Sequence, residues 1–290
     1  MSKRLFAYAA TLAAVSATPC HALPMNIAAG AEVAAVKAGA SYLVPRKQLA
    51  DGGIDLRVLS YNINGLPAPI KTGKQPHYKR MVEMLKERRA EGSQPHVVLL
   101  QEAFDKKSEI VAKETGYKYV LKGPTRKDES TRGQAHWVQK TRKAYASFSD
   151  PQKFLGSGLW ILSDYPIVDA RHKAFNSDEC AGLDCLSNKS IILARILVPG
   201  LSTPVDIVNS HFNSRRSAKA PDKAVFKAHQ KQTDTLKWFL EKTDSGNPKI
   251  IAGDFNTKES RRYQYFKQTV GGIDAGEVCL RLSSQCDVDA

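Results

Sequence analysis

The chain has 290 residues, 42% of them hydrophobic, and sets 43 lysines and arginines against 29 acidic side chains, a formal net charge of +14. That length supports one large domain with a sizeable core, and the apolar fraction excludes a disordered or fibrous chain. The basic excess favours polyanionic partners, whether nucleic acid, an anionic membrane surface or a phosphorylated substrate, without choosing among them.

The N-terminus begins with Lys3 and Arg4, runs apolar from Leu5 to Val15, and then reaches small residues with cleavage positions after Ala17 and Ala22. This is the pattern of a secretory signal. A spanning helix needs about 20 apolar residues, and this run has 11. The expectation is therefore a signal peptide over residues 1–22 and a secreted protein, extracellular or periplasmic. Removing Lys3 and Arg4 takes the 43 basic residues to 41 against 29 acidic ones, a mature charge of +12. Cleavage after Ala22 also removes Cys20 and leaves Cys180, Cys185, Cys279 and Cys286. In an oxidising compartment these favour two local disulfides, with a four-thiolate zinc site as the rival reading; the C-x4-C and C-x6-C spacings are loose for a zinc knuckle.

Residues 23–53 read as a flexible lead-in, alanine- and glycine-rich from Asn26 to Ala40, and a single domain is expected over residues 54–290. Six segments suit strands: Ile54–Asn62, His96–Glu102, Ser157–Ser163, Ser190–Val198, Val205–Phe212 and Lys249–Asn256. They are rich in β-branched residues and bounded by Gly, Pro, Asn or Asp. Val97–Leu100 and Ile250–Ala252 are apolar on both faces, as strands of a buried sheet are. Helices are expected between them, one with Met81, Leu85 and Arg88 on a stripe and one over Asp222–Lys242 presenting Val225, His229, Thr233, Leu236 and Leu240. A basic stretch from Lys122 to Lys153, interleaved with Trp137, Tyr145 and Phe148 and followed by Phe154, reads as a functional loop or a solvated charged surface. The fold class is α/β, with no internal repeat.

Polar residues recur where apolar runs end: Asn62, Glu102, His211, and Asp254 with Asn256. Singly, each has an ordinary use as a turn former, cap or buried histidine. Together, at strand ends of an α/β sheet, they mark the edge where ligands bind. Carboxylate and amide oxygens suit a hard cation such as Mg²⁺, which Glu102 and Asn62 would hold. Asp254 could orient or deprotonate a water, and His211 and Asn256 could donate to a phosphate. The chain has no G-x-S-x-G elbow and no H-x-x-x-H pair, which argues against a serine triad or a zinc hydrolase.

The motifs "LSYNINGLP", "VVLLQEAF", "SGLWILSDYPI", "VNSHFNS" and "IIAGDFNT", in this order over roughly Ile54–Thr257, resemble the endonuclease/exonuclease/phosphatase superfamily. The resemblance implies a DNase I-like four-layer sandwich, two packed mixed β-sheets flanked by helices, hydrolysing phosphoester bonds with Mg²⁺. It implies Glu102 and Asn62 at the metal, His211 at the scissile phosphate, Asp254 at the nucleophile and Asn256 on the phosphate. The Asn62–Pro67 turn and "CAGLDCLSNKS" are similar to secreted bacterial sphingomyelinase-type phosphodiesterases, although Ser190 follows Lys189 where that group has glycine. The superfamily closes on a Ser-Asp-His motif, whereas the last histidine here is His229; the expectation is a chain incomplete at its C-terminus, lacking its last strands. The implied partner is a phosphodiester at a phospholipid surface, with extracellular DNA or RNA as the alternative and a non-catalytic binding protein on the same fold as a third reading. No obligate protein partner is inferred.

Overall fold

The structure, a computed structural model, describes residues 7–11, 54–67, 73–128 and 153–282. Trp137, Tyr145 and Phe148 of the basic stretch, residues 23–53, and most of the segment expected to be a signal peptide lie outside these residues.

One sheet has the order β1(Ala7–Thr11), β2(Asp55–Asn62), β3(Val97–Gln101), β5(Trp160–Ser163), β4(Tyr119–Lys122). The other runs β6(Ile167–Ala174), β7(Ser190–Ile196), β8(Val205–His211), β9(Lys249–Asp254). Both sheets are mixed, each with one parallel pair, β2 with β3 and β8 with β9. A parallel pair needs a crossover long enough for a helix; α1(Gln75–Ala90) supplies the first and α3(Asp222–Lys242) the second. Residues 7–11, expected in a signal peptide, lie antiparallel along β2.

Side chains alternate across a strand with period two, and that alternation builds the layers. Leu56, Val58, Val97, Leu99 and Ile161 of the first sheet face Ile192, Ala194, Ile196, Val205 and Ile207 of the second in one apolar core. The intervening residues Leu59, Val98, Leu100 and Leu162 pack outward against α1 and α2(Glu109–Glu114). On the far side Ile191, Leu193 and Val208 meet Leu236 and Phe239 of α3 and Phe266 of α4(Ser260–Val270). The result is helix, sheet, sheet, helix.

Val97–Leu100 is fully buried on both faces, as its apolar run requires. Ile250–Ala252 is only half-buried, because β9 is the outer strand of its sheet among the described residues. In α1 the buried stripe is Tyr78, Met81, Val82 and Leu85, and Arg88 faces solvent in the last turn beside Arg89, where cations oppose the helix dipole. Elements that the sequence reading does not anticipate are short or polar: β4, β6, α2, α4 and α5(Ala275–Leu282).

Candidate functional site

Parallel pairing sends both strands of a pair to the same edge. In the first pair Asn62 lies opposite Gln101, and in the second His211 lies opposite Asp254. All four carry the parity of the inter-sheet core, so their side chains enter the cleft between the sheets at its open end. Beneath them Gln101 Nε2 donates to Asn209 Oδ1 at 2.8 Å, and Asn209 Nδ2 donates to the carbonyls of Leu100 and Trp160, each at 3.0 Å. This buried amide pair joins the sheets one layer below the site.

Glu102 breaks the alternation. On a continued strand it would point outward with Val98 and Leu100, but its φ of 55° turns the chain and brings the carboxylate into the cleft. Asn256, with φ 51°, is likewise left-handed just after β9. Left-handed backbone is unfavourable for side-chain-bearing residues and persists where surroundings enforce it. For Glu102 the enforcement is a carbonyl that accepts from Gly65 N at 3.0 Å; a β-carbon on Gly65 would lie 2.6 Å from that oxygen, so only glycine fits. Gly253 is held equally tightly, since a β-carbon there would sit 2.3 Å from the Ser210 carbonyl.

The side chains form one connected set. Asn62 Nδ2 donates to Glu102 Oε1 at 2.8 Å and to Asp254 Oδ2 at 2.9 Å, while Asn62 Oδ1 accepts from Asn64 N. Asp254 Oδ2 lies 3.7 Å from His211 Nε2, and Lys189 Nζ lies 3.3 Å from the same ring nitrogen. Lys189 also donates to the Phe212 carbonyl at 2.6 Å and pairs with Asp184 at 3.1 Å. Asp184 accepts in turn from Ser214 N and Oγ. Asn256 Nδ2 donates to the Phe212 carbonyl at 3.1 Å, and its backbone N–H donates to Asp254 Oδ1. The five sequence-selected residues thus fall in one place, tied together across both sheets.

Burial pushes the His211 imidazole below the ordinary histidine range, and the neighbouring Lys189 ammonium adds to that effect against Asp254, Glu102 and Asp184. An ammonium only donates, so the Lys189 contact makes Nε2 the acceptor and places the proton of the neutral ring on Nδ1, which has no hydrogen-bond partner among the described residues. Burial alone would raise the Asp254 carboxyl, but His211, the Asn62 amide and Lys189 outweigh it and hold the group below the usual carboxylate range. Asp184 is held down in the same way, its burial overcome by Lys189 and Ser214.

Lys189 is the principal residue of this cluster that strand-end reasoning misses. It precedes β7, which runs antiparallel to β8, and so sits at a strand's beginning rather than its end. The local signal is a lysine set just before the apolar run Ile191–Ala194 of β7. A disulfide joins Cys180 to Cys185 and closes the short loop that carries Asp184. Cys279 is disulfide-bonded as well, and Cys286 lies outside the described residues.

Among solved structures, the fold is similar to that of Staphylococcus aureus beta toxin with bound magnesium ions, at 23% identity and a TM-score of 0.58, covering 75% of this chain and 70% of that one. Sphingomyelinase C from Streptomyces griseocarneus aligns at 23% identity and a TM-score of 0.55, covering 74% and 69%. SmcL aligns at 18% identity and a TM-score of 0.56, covering 76% and 72%. At these identities the likeness is one of fold. A comparison with curated protein sequences finds no match. Residues 59–274, from β2 to the loop after α4, match the Endonuclease/Exonuclease/phosphatase family, and the chain belongs to that family.

Proposed function

We propose that this protein is a secreted, Mg²⁺-dependent phosphodiesterase that hydrolyses a phospholipid headgroup ester such as that of sphingomyelin. The observation that carries the reading is the Asn62 amide held between the carboxylates of Glu102 and Asp254, with the Lys189–His211 pair beside it. Oxygen donors thus face cationic and hydrogen-bonding groups across the mouth of one cleft.

Glu102 and Asn62 would hold the ion. Among the described residues no three Asp, Glu, His or Cys side chains group as a ligand cluster, so the donor set suits a cation that keeps waters and uses few protein ligands, as Mg²⁺ does. Coordination through Asn62 Oδ1 calls for rotation of an amide whose nitrogen now faces both carboxylates. When bound, the ion supplies positive charge against the phosphate oxygens. Asp254, ionised at neutral pH, orients the attacking water and accepts its hydrogen bond. His211 contacts the scissile phosphate as a neutral ring, and Lys189 supplies the fixed positive charge next to it. Asn256 offers its amide to the phosphate from the opposite loop.

Two observations favour a lipid over a nucleic acid. Phe154 and Leu183 are 59% and 55% exposed; Leu183 lies on the loop that carries Asp184, and Phe154 N donates to the Leu186 carbonyl at its end. The Cys180–Ser190 segment that holds Asp184 and Lys189, together with the Asn62–Pro67 turn, also resembles sphingomyelinase-type enzymes. The nuclease reading rests on the charge of +12 that remains without Lys3 and Arg4 and on the basic, aromatic-studded stretch Lys122–Lys153. Incubation with sphingomyelin vesicles and with plasmid DNA, each with Mg²⁺ and then with EDTA, tests the assignment. Vesicle hydrolysis abolished by EDTA is expected. Cleavage of DNA alone would establish the nuclease, EDTA-resistant turnover would remove the metal, and inertness toward both would favour a binding protein. Export is checked by N-terminal sequencing of protein from the medium or periplasm, expected to begin at Thr18 or Leu23.

A further inference from the structure

Arg262 is the largest fully buried side chain of the described residues and is absent from every functional motif of the sequence. It stands in the first turn of α4, behind the site. Its Nη1 donates to the Asn213 carbonyl at 3.0 Å and to the Asn256 carbonyl at 3.4 Å. Asn213 lies on the loop that leaves β8 after His211, and Asn256 on the loop that leaves β9 after Asp254. One nitrogen therefore ties together the two loops that follow the catalytic strand ends.

Two other clasps link the same loops from the front. Phe212 N donates to the Asp254 carbonyl at 2.9 Å, and Asn256 Nδ2 donates to the Phe212 carbonyl. The front clasps fix residue 212 against 254 and 256, and the Arg262 clasp fixes 213 against 256. Three links around the left-handed Asn256 tie its loop to the one that follows His211. The remaining support comes from Gln232 on α3, whose Oε1 accepts from Asn213 N at 2.7 Å.

A buried guanidinium is a costly choice for a merely structural clasp, because removing a cation from water is offset only by well-aligned acceptors. Glu259, 3.6 Å from Nε, is its carboxylate neighbour, and Nη2 has no hydrogen-bond partner among the described residues. Arginine is suited to the position because one nitrogen of a planar fork presents two N–H groups at a fixed angle, which a lysine's rotating point charge does not reproduce.

We propose that Arg262 is a positioning residue: by clasping the Asn213 and Asn256 carbonyls it sets the separation between the His211 loop and the Asp254–Asn256 loop on which the reacting phosphate would lie. The inference rests on the phosphodiesterase reading for its kinetic consequence, but not for its structural one.

Arg262→Lys, Arg262→Met and Arg262→Ala would be compared with the parent protein, folding being verified by thermal midpoint and near-ultraviolet circular dichroism. With Mg²⁺ and sphingomyelin vesicles, kcat should fall about 10- to 100-fold in the lysine and methionine variants with KM within about threefold, since misplacement acts on the transition state more than on substrate binding. Guanidinium chloride at millimolar concentration should partly restore Arg262→Ala, a response that a loss of packing alone would not give. A folded Arg262→Met with kcat within twofold of the parent overturns the proposal. Hydrogen exchange of peptides spanning residues 209–216 and 252–258 provides a readout independent of activity. Faster exchange confined to both loops is expected in whichever variant folds, and parent-like protection in both overturns the proposal. If the parent protein hydrolyses no phosphodiester, that result counts against the functional reading alone, and the exchange measurement decides Arg262.

Discussion

At the scale of single residues, the site is organised around two carboxylates that share one amide nitrogen. Glu102 and Asp254 both accept from Asn62 Nδ2, which confines two like charges to a small volume with a neutral donor between them. Such a pair is relieved by a bound cation. Mg²⁺ should therefore raise the thermal midpoint of the parent protein, the stabilisation reaching about 2.7 kcal/mol at a hundredfold excess over Kd. Glu102→Gln removes one charge and keeps the shape. Its midpoint should match or exceed that of the metal-free parent and respond little to Mg²⁺, while turnover falls at least about 10²-fold. A variant that retains both the Mg²⁺ shift and normal turnover would show that Glu102 does not hold the ion. His211→Ala should lower kcat by about 10²-fold, because it removes the ring nitrogen that accepts from Lys189 and so loosens the positive charge placed beside the phosphate.

At the scale of elements, what matters is how β2 and β3 are fixed to each other and to the second sheet. Asn209 of β8 meets Gln101 of β3 and two carbonyls of the first sheet in a fully buried position. Asn209→Ala strands these partners and should destabilise the fold by about 1–3 kcal/mol, read as an earlier urea midpoint. It should also lower activity at temperatures where the fold is intact, because the two halves of the site belong to different sheets. At the opposite end of β3, His96 accepts from Arg57 N at 3.1 Å and faces the Arg57 guanidinium. Burial, then Arg57, lowers its pKa from 6.5 to about 4. Between those values the unfolded chain takes up a proton that the folded chain refuses. The contribution of His96 is thus fully present above pH 6.5 and is lost as pH falls toward 4. Unfolding free energy measured across this window should decline, and the decline should be shallower in His96→Gln, whose amide oxygen can still accept from Arg57.

At the scale of the whole molecule, the dominant feature is the charge of +14. Adsorption to vesicles containing anionic lipid should weaken steeply with salt, as the screening length contracts from about 10 Å at 0.1 M to about 3 Å at 1 M. Binding that ignores salt would mean that apolar contacts through residues such as Phe154 and Leu183 dominate. The layered core explains why a protein of this fold can expose such groups: its stability resides in the inter-sheet core and the two helix-covered faces.

Alternation of apolar residues, glycine at forced turns and polar groups after apolar runs are local properties, so the α/β class and the central strands were legible in the chain, as was the set Asn62, Glu102, His211, Asp254 and Asn256 that the fold brings together. The sequence also signalled α3, whose buried stripe follows helical spacing. Short or polar elements such as β4, β6 and α4 carry too little apolar pattern to be seen before their partners are known. Only the tertiary structure decided that Glu102 turns inward against its strand parity, that Lys189 at the head of β7 reaches His211, and that Arg262 is wholly buried behind both loops. Each depends on contacts between segments distant in sequence: 22 residues separate Lys189 from His211 and 49 separate Asn213 from Arg262. No local pattern encodes such a meeting, because strand pairing and helix docking bring the segments together only when the core closes.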